Sequence, residues 1–171
     1  MAAGVVLDTS FLITLADSSR AHHQAARQYW RFFAEQGVPL FLPTIVVSEF
    51  CIKQALPTEI IRACVVLPFN WEDALKAASL DFTRFNRTDG SRDALKDDVK
   101  IIAQAMTRES AWIITDDTQS LFKYADELRQ AGQASFCPIK LDDGFDLSLL
   151  NADGQRHLGF KEEVGTNGDE S

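Results

Sequence analysis

Two short, continuously apolar runs constrain this chain most, Gly4-Val5-Val6-Leu7 and Ala111-Trp112-Ile113-Ile114. Each stops abruptly at acidic and hydroxyl-bearing residues, Asp8-Thr9-Ser10 in one case and Thr115-Asp116-Asp117 in the other. An unbroken run of about four apolar residues reads as a strand buried on both faces, because a half-wet strand would alternate. Similar runs occur at Leu40-Phe41-Leu42, at Val65-Val66-Leu67 and from Phe136 to Leu141, with helical periodicity between them. This alternation predicts an α/β fold in which helices wrap a parallel sheet. Asp8 then stands at the carboxyl end of a central strand.

The helical segments are expected over residues 11–16 and about 22–36, where Ala26, Tyr29, Trp30 and Phe33 share a face before Gly37 and Pro39 close the helix. A partly buried helix or turn over residues 45–52 carries Glu49. Residues 71–85 form another helix, with Ala74, Leu75, Ala78 and Phe82 on one side, followed by a polar loop over residues 86–92. Asp97-Asp98 are expected to open a helix running through Arg108, and a further helix covers about 118–130. Trp30, Phe32 and Phe33 suit a dimer face as well as a core. The body is expected to end at residue 141, leaving residues 142–171 as an acidic extension whose last part is disordered.

Composition supports one soluble domain, since 171 residues with 46% hydrophobic and 25% charged content suffice for one sizeable core. No apolar run approaches the roughly 20 residues that span a bilayer, and no secretory signal opens the chain, so a cytoplasmic protein is expected. Cys51, Cys64 and Cys137 are odd in number, far apart and set in apolar surroundings, which predicts buried reduced thiols rather than disulfides or a zinc site. The net charge of -8 opposes polyanion binding, but it is unevenly spread: residues 141–171 carry -6 and residues 1–140 only -2. With cations bound among its carboxylates, the body is close to neutral.

In open α/β sheets, ligands gather beyond the carboxyl ends of the strands, where Asp8 and the Asp116-Asp117 pair are expected. Asp97-Asp98 and Glu49 add further acids. Each has a plain structural alternative: Asp8, Asp97 and Asp98 are suited to capping helices, Glu49 to an ion pair, and Asp116 or Asp117 to shaping a turn. Their shared edge favours one cluster. Carboxylates gathered without His or Cys select a hard cation, Mg²⁺ or Mn²⁺, and the natural chemistry of such a site is phosphoester hydrolysis.

These residues resemble the PIN-domain family. The resemblance rests on Leu7-Asp8-Thr9-Ser10 before an apolar helix, Val47-Ser48-Glu49-Phe50, the stretch from Asp98 to Ala105, and Ile114-Thr115-Asp116-Asp117, over roughly residues 4–140. It implies a three-layer α/β/α sandwich with a mainly parallel sheet, and an Mg²⁺- or Mn²⁺-dependent endoribonuclease. By this resemblance Asp8, Glu49, Asp98 and Asp117 are the catalytic quartet, with Asp8, Asp98 and Asp117 holding metal. Thr9, Ser10 and Thr115 supply supporting hydroxyls, and Asp97 and Asp116 are neighbouring or alternative ligands. Arg87, Arg92, Lys96 and Lys100 flank the third acid and are candidate RNA contacts. In size the chain is similar to the toxins of VapBC-type pairs, which implies RNA as substrate, an antitoxin as partner and a homodimer.

Two rivals remain at this point. A haloacid-dehalogenase-type phosphatase also begins with a strand ending in Asp, but it needs a second Asp where this chain has Ser10. A catalytically silent PIN-like module binding RNA or protein would keep the fold without the chemistry.

Overall fold

The computed structural model describes residues 3–80 and 92–151, with the side chains of residues 92–95 and 151 excluded. Five strands form one all-parallel sheet: β1 (Val5–Leu7), β2 (Leu40–Pro43), β3 (Cys64–Leu67), β4 (Trp112–Thr115) and β5 (Cys137–Lys140), in the order β3-β2-β1-β4-β5. Val5, Val6 and Leu7 point alternately to opposite faces, yet all three are fully buried, so helices cover both sides of the sheet. Gly4 leads into β1 where no side chain fits. A Cβ there would lie 2.7 Å from the Pro39 carbonyl oxygen and collide with the Phe41 ring.

The helices are α1 (Thr9–Ala16), α2 (His23–Glu35), α3 (Thr44–Cys51), α4 (Thr58–Ala63), α5 (Trp71–Ser79), α6 (Arg92–Thr107), α7 (Leu121–Gln130) and α8 (Leu147–Asn151). Ala25, Ala26, Tyr29 and Phe33 form the buried stripe of α2, while Trp30 and Phe32 pack against the core from its margin. These aromatic residues therefore serve the core. The start of α5 is fixed by a reciprocal capping box between Asn70 and Asp73, and Asp73 also accepts from Thr107 on α6.

Several boundaries differ from expectation. Helix α6 begins at Arg92, so Asp97 and Asp98 lie inside it and do not cap its start. Ala94, Leu95 and Lys96 are good helix formers and extend it toward the amino end. Helix α4 was not anticipated from its short sequence. Helix α5 stops at Ser79, short of the expected end at Phe85, because the backbone turns extended at Leu80; residues 81–91, with the polar loop, lie outside the described residues. Cys51 is exposed at the end of α3, contrary to the expected buried thiol, whereas Cys137 is buried in β5, and none of the three cysteines forms a disulfide.

Packing continues past Leu141. After a single 3-10 turn (Leu141–Asp143), Phe145 meets Tyr29 edge-on at 4.9 Å, and the Asp146 amide donates to the Tyr29 hydroxyl at 3.0 Å. Trp112 Nε1 donates to the Leu149 carbonyl at 3.1 Å, and Leu150 is buried. Residues 142–150 are thus held on the body; residues 152–171 lie outside the described part.

The connections position the functional edge. From β1 the chain winds through β2 to β3, then crosses back to place β4 on the other side of β1 and continues to β5. The β1/β4 boundary is the switch point of the sheet, where a crevice opens beyond the carboxyl ends of the strands. Asp8 and the Thr115-Asp116-Asp117 turn both sit there.

Candidate metal-binding carboxylate site

Asp8 follows β1 directly and its amide donates to the Ile114 carbonyl at 3.1 Å, which ties the end of β1 to β4. The residue is only 5% exposed. Oδ2 accepts from the Ser10 amide at 3.2 Å, from Ser10 Oγ at 2.5 Å and from Thr115 Oγ1 at 2.7 Å. Capping α1 is thus part of what Asp8 does, because the same geometry that caps the helix aims the carboxylate at the switch point. Burial pushes its pKa up, and these hydrogen bonds oppose the rise.

Glu49 reaches the site from α3, where Val46 and Phe50 anchor the helix in the core. Its Oε2 accepts a hydrogen bond from Thr9 Oγ1. The carboxyl is raised first by burial and then by the negative charges of Asp8 and Asp97, while Thr9 and Lys100 pull it down. Thr9, Ser10 and Thr115 therefore all stand as hydroxyl donors among the acids.

Asp98 projects from α6 and is 9% exposed. Its Oδ2 is fully buried without a hydrogen-bond partner. The carboxyl is pushed up to about 7, chiefly by burial, with the Ser120 hydroxyl opposing and the charges of Asp8, Asp117 and Glu49 adding to the rise. Asp98 is therefore near enough to Asp8, Asp117 and Glu49 to respond to their charges. The adjacent Asp97 is less buried and pairs with Lys100 at 2.8 Å. An i, i+1 pair on a helix diverges, so only one of the two points inward.

The β4–α7 turn separates its two acids in the same way. Asp117 Oδ1 accepts from the amides of Gln119 and Ser120, each at 2.9 Å, and Oδ2 from Ser120 Oγ at 2.6 Å. Asp116 turns the other way: Oδ2 accepts from Thr14 Oγ1 at 2.6 Å and Oδ1 lies 2.6 Å from His22 Nδ1, with Arg20 Nη2 at 3.8 Å. Ser10 Oγ accepts from the Asp116 amide at 2.8 Å, and Thr115 Oγ1 accepts from the Asp117 amide at 2.9 Å.

Sequence reasoning did not single out Thr14, Arg20, His22 or Ser120. The signal for His22 was the His22-His23 doublet in a chain with only three histidines. Of the proposed RNA contacts, Lys100 is engaged with Asp97 and Lys96 is exposed. Arg87 and the Arg92 side chain lie outside the described residues.

Among the described residues, no three His, Cys, Asp or Glu side chains stand in a geometry that holds an ion directly. The donor chemistry nevertheless fits a hard cation. The set is all oxygen, neighbouring negative charges add to the raised pKa values of Glu49 and Asp98, and one buried carboxylate oxygen has no partner. Mg²⁺ commonly keeps several of its waters, so carboxylates spaced too widely for direct closure still suit it.

Comparison with known proteins places this arrangement in context. Residues 5–128 match the PIN domain family. No curated protein matches the chain at a significant level. Among solved structures, the fold is similar to VapBC2 from Rickettsia felis bound to a promoter DNA fragment, with TM-score 0.55, 10% identity, and 80% of this chain and 98% of that chain covered. It is also similar to VapC20 of Mycobacterium tuberculosis, a toxin described as cleaving the sarcin–ricin loop, with TM-score 0.53, 16% identity and coverage of 77% and 98%. DNA-bound VapBC from Salmonella typhimurium gives TM-score 0.51 at 15% identity, covering 81% and 98%. At these identities the likeness concerns the fold.

Proposed function

The chain belongs to the PIN domain family, whose members are typically nucleases that use divalent metals, and from that premise we propose that it is an Mg²⁺- or Mn²⁺-dependent endoribonuclease. The observation that carries this reading is Asp98, a buried carboxylate with an unpartnered oxygen, raised by the charges of Asp8, Asp117 and Glu49. Such a group is costly in the absence of a cation and favourable beside one.

In this reading Asp8, Asp98 and Asp117 hold the ion, directly or through water. The bound ion supplies charge stabilisation at the phosphodiester and at the leaving oxygen. Glu49 orients the attacking water and takes its proton, a role suited by its raised pKa. The water oxygen attacks phosphorus, the bond to the leaving oxygen breaks, and that oxygen gains a proton from solvent. Thr9 steadies Glu49, while Ser10 and Thr115 fix Asp8. Lys96, Lys100, Arg87 and Arg92 are the proposed contacts to the RNA backbone.

The VapBC-like fold extends the proposal to a cytoplasmic toxin with an antitoxin partner. No helix among the described residues is long and apolar enough to cross a membrane. A homodimer is supported by apolar surface at Val65 and Val66 on edge strand β3 and at Trp71 and Leu75 on α5.

A second reading, a catalytically silent RNA- or protein-binding module, is favoured by the lack of a closed metal geometry among the described residues. The phosphatase alternative has no support, since Ser10 is bound to Asp8 and to the Asp116 amide. The deciding experiment is incubation of a mixed single-stranded RNA pool with purified protein and Mg²⁺ or Mn²⁺, with EDTA and Asp8→Asn controls. Metal-dependent cutting that the variant loses supports the nuclease. RNA binding without cutting, in folded protein that takes up no Mn²⁺, supports the silent module.

A further inference from the structure

We infer that His22 is a positioning residue of the site, holding Asp116 away from the ion so that Asp117 alone of the pair faces the other carboxylates. The inference rests on the metal-site reading above and goes beyond it. His22 lies just before α2, in the turn after α1, and reaches across to the β4–α7 turn. A carboxylate can only accept, so Nδ1 carries its hydrogen toward Asp116 Oδ1 at 2.6 Å. Nε2 faces Asp142 Oδ1 at 3.4 Å, so the ring lies between carboxylates that follow β4 and β5.

Asp116 needs this partner. Its side chain is 7% exposed, and an ionised carboxylate that deep is costly unless it is paired and hydrogen-bonded. Thr14 supplies a neutral donor and Arg20 a longer contact at 3.8 Å, leaving His22 as the short ring contact on Oδ1.

The consequence travels through the backbone. The Asp116 amide donates to Ser10 Oγ, and Ser10 Oγ in turn donates to Asp8 Oδ2 at 2.5 Å. With both Asp116 oxygens engaged on the α1–α2 side, the following residue is set toward Asp8: its amide donates to Thr115 Oγ1 at 2.9 Å, and that hydroxyl donates to Asp8 Oδ2 at 2.7 Å. Without His22, the carboxylate of Asp116 is released to compete with Asp117 or to displace the turn.

The test compares His22→Ala with His22→Asn, whose side-chain amide can replace the Nδ1 donor. Two readouts are needed: Mn²⁺ affinity by calorimetry, and hydrogen exchange at the Asp116 and Asp117 amides in metal-free protein. The expected result is roughly tenfold or greater weakening of Mn²⁺ binding in His22→Ala, the scale typical of partners that orient metal ligands. Exchange at both amides should rise, the melting temperature should fall because a buried carboxylate loses a partner, and His22→Asn should restore both readouts. In His22→Ala/Asp116→Asn the Mn²⁺ loss should not exceed that of Asp116→Asn alone, because the two residues act through one contact.

Unchanged amide exchange in His22→Ala overturns the inference, as does additive loss in the double variant. If the wild-type protein takes up no Mn²⁺, the metal-site reading fails, and amide exchange still decides whether His22 fixes the turn.

Discussion

Replacing Asp98 by Asn should stabilise the metal-free protein at neutral and alkaline pH, although it alters a buried residue in the proposed site. The carboxyl rises from its ordinary 3.8 to about 7, so ionising it in the folded protein costs up to about 4 kcal/mol more than in the unfolded chain. Between those values the folded state holds a proton that the unfolded state has released. Metal-free stability is therefore greatest when Asp98 is protonated in both states and falls as pH rises from 3.8 to about 7, where the loss is complete. Asn carries no charge and escapes this loss, and its amide can donate toward the neighbouring carboxylates. Because four acids share the repulsion, a gain of about 2–4 kcal/mol is expected, or about 4–16 °C in melting temperature for a domain of this size. Calorimetry in EDTA at about pH 8 and about pH 5 reads this directly, with the gain large at the first and small at the second. Saturating Mn²⁺ should reverse the ranking, because ligand binding stabilises only the protein that retains the site. Equal gains at both pH values, or a less stable variant at about pH 8 in EDTA, would refute the reasoning.

Three further outcomes rest on other contacts in the fold. Thr115→Val removes the buried donor to Asp8 and should cost about 1–3 kcal/mol by urea denaturation, with weaker Mn²⁺ binding. Lys100→Met removes a cation that lowers the Glu49 pKa, so the acid limb of the pH–rate profile for RNA cleavage should move to higher pH. Gly4→Ala forces a Cβ against the Phe41 ring and the Pro39 carbonyl, and should lower stability by about 1–3 kcal/mol in the same denaturation assay.

The sheet was legible because its inner strands are buried on both faces, and continuous apolar runs such as Val5-Val6-Leu7 carry that signal without help from distant residues. The acids at the ends of β1 and β4 were legible for the same reason, since a strand end fixes where its next residue points. Asp98 was harder to place. Its helix begins at Arg92, well before the acidic pair, and the helix-forming residues there leave no mark of that start. Which of Asp97 and Asp98 faces inward depends on helix rotation against the core, and the structure points Asp98 in and pairs Asp97 with Lys100. His22, Thr14 and Arg20 were not found because their partner, Asp116, lies more than ninety residues away. No local pattern records a pairing that tertiary packing creates. The stretch after Leu141 reads as a polar extension, yet Phe145 and Leu150 are enough to hold it on the body.

The most direct test is an anomalous-scattering map, at the manganese edge, from a crystal of the protein soaked in Mn²⁺. A single strong site is expected beyond the carboxyl ends of β1 and β4, bounded by Asp8, Asp98 and Asp117, with Glu49 at its margin and Asp116 turned toward His22. Manganese held instead by Asp116 and Asp142, or no ordered manganese at that edge, would contradict the proposed site.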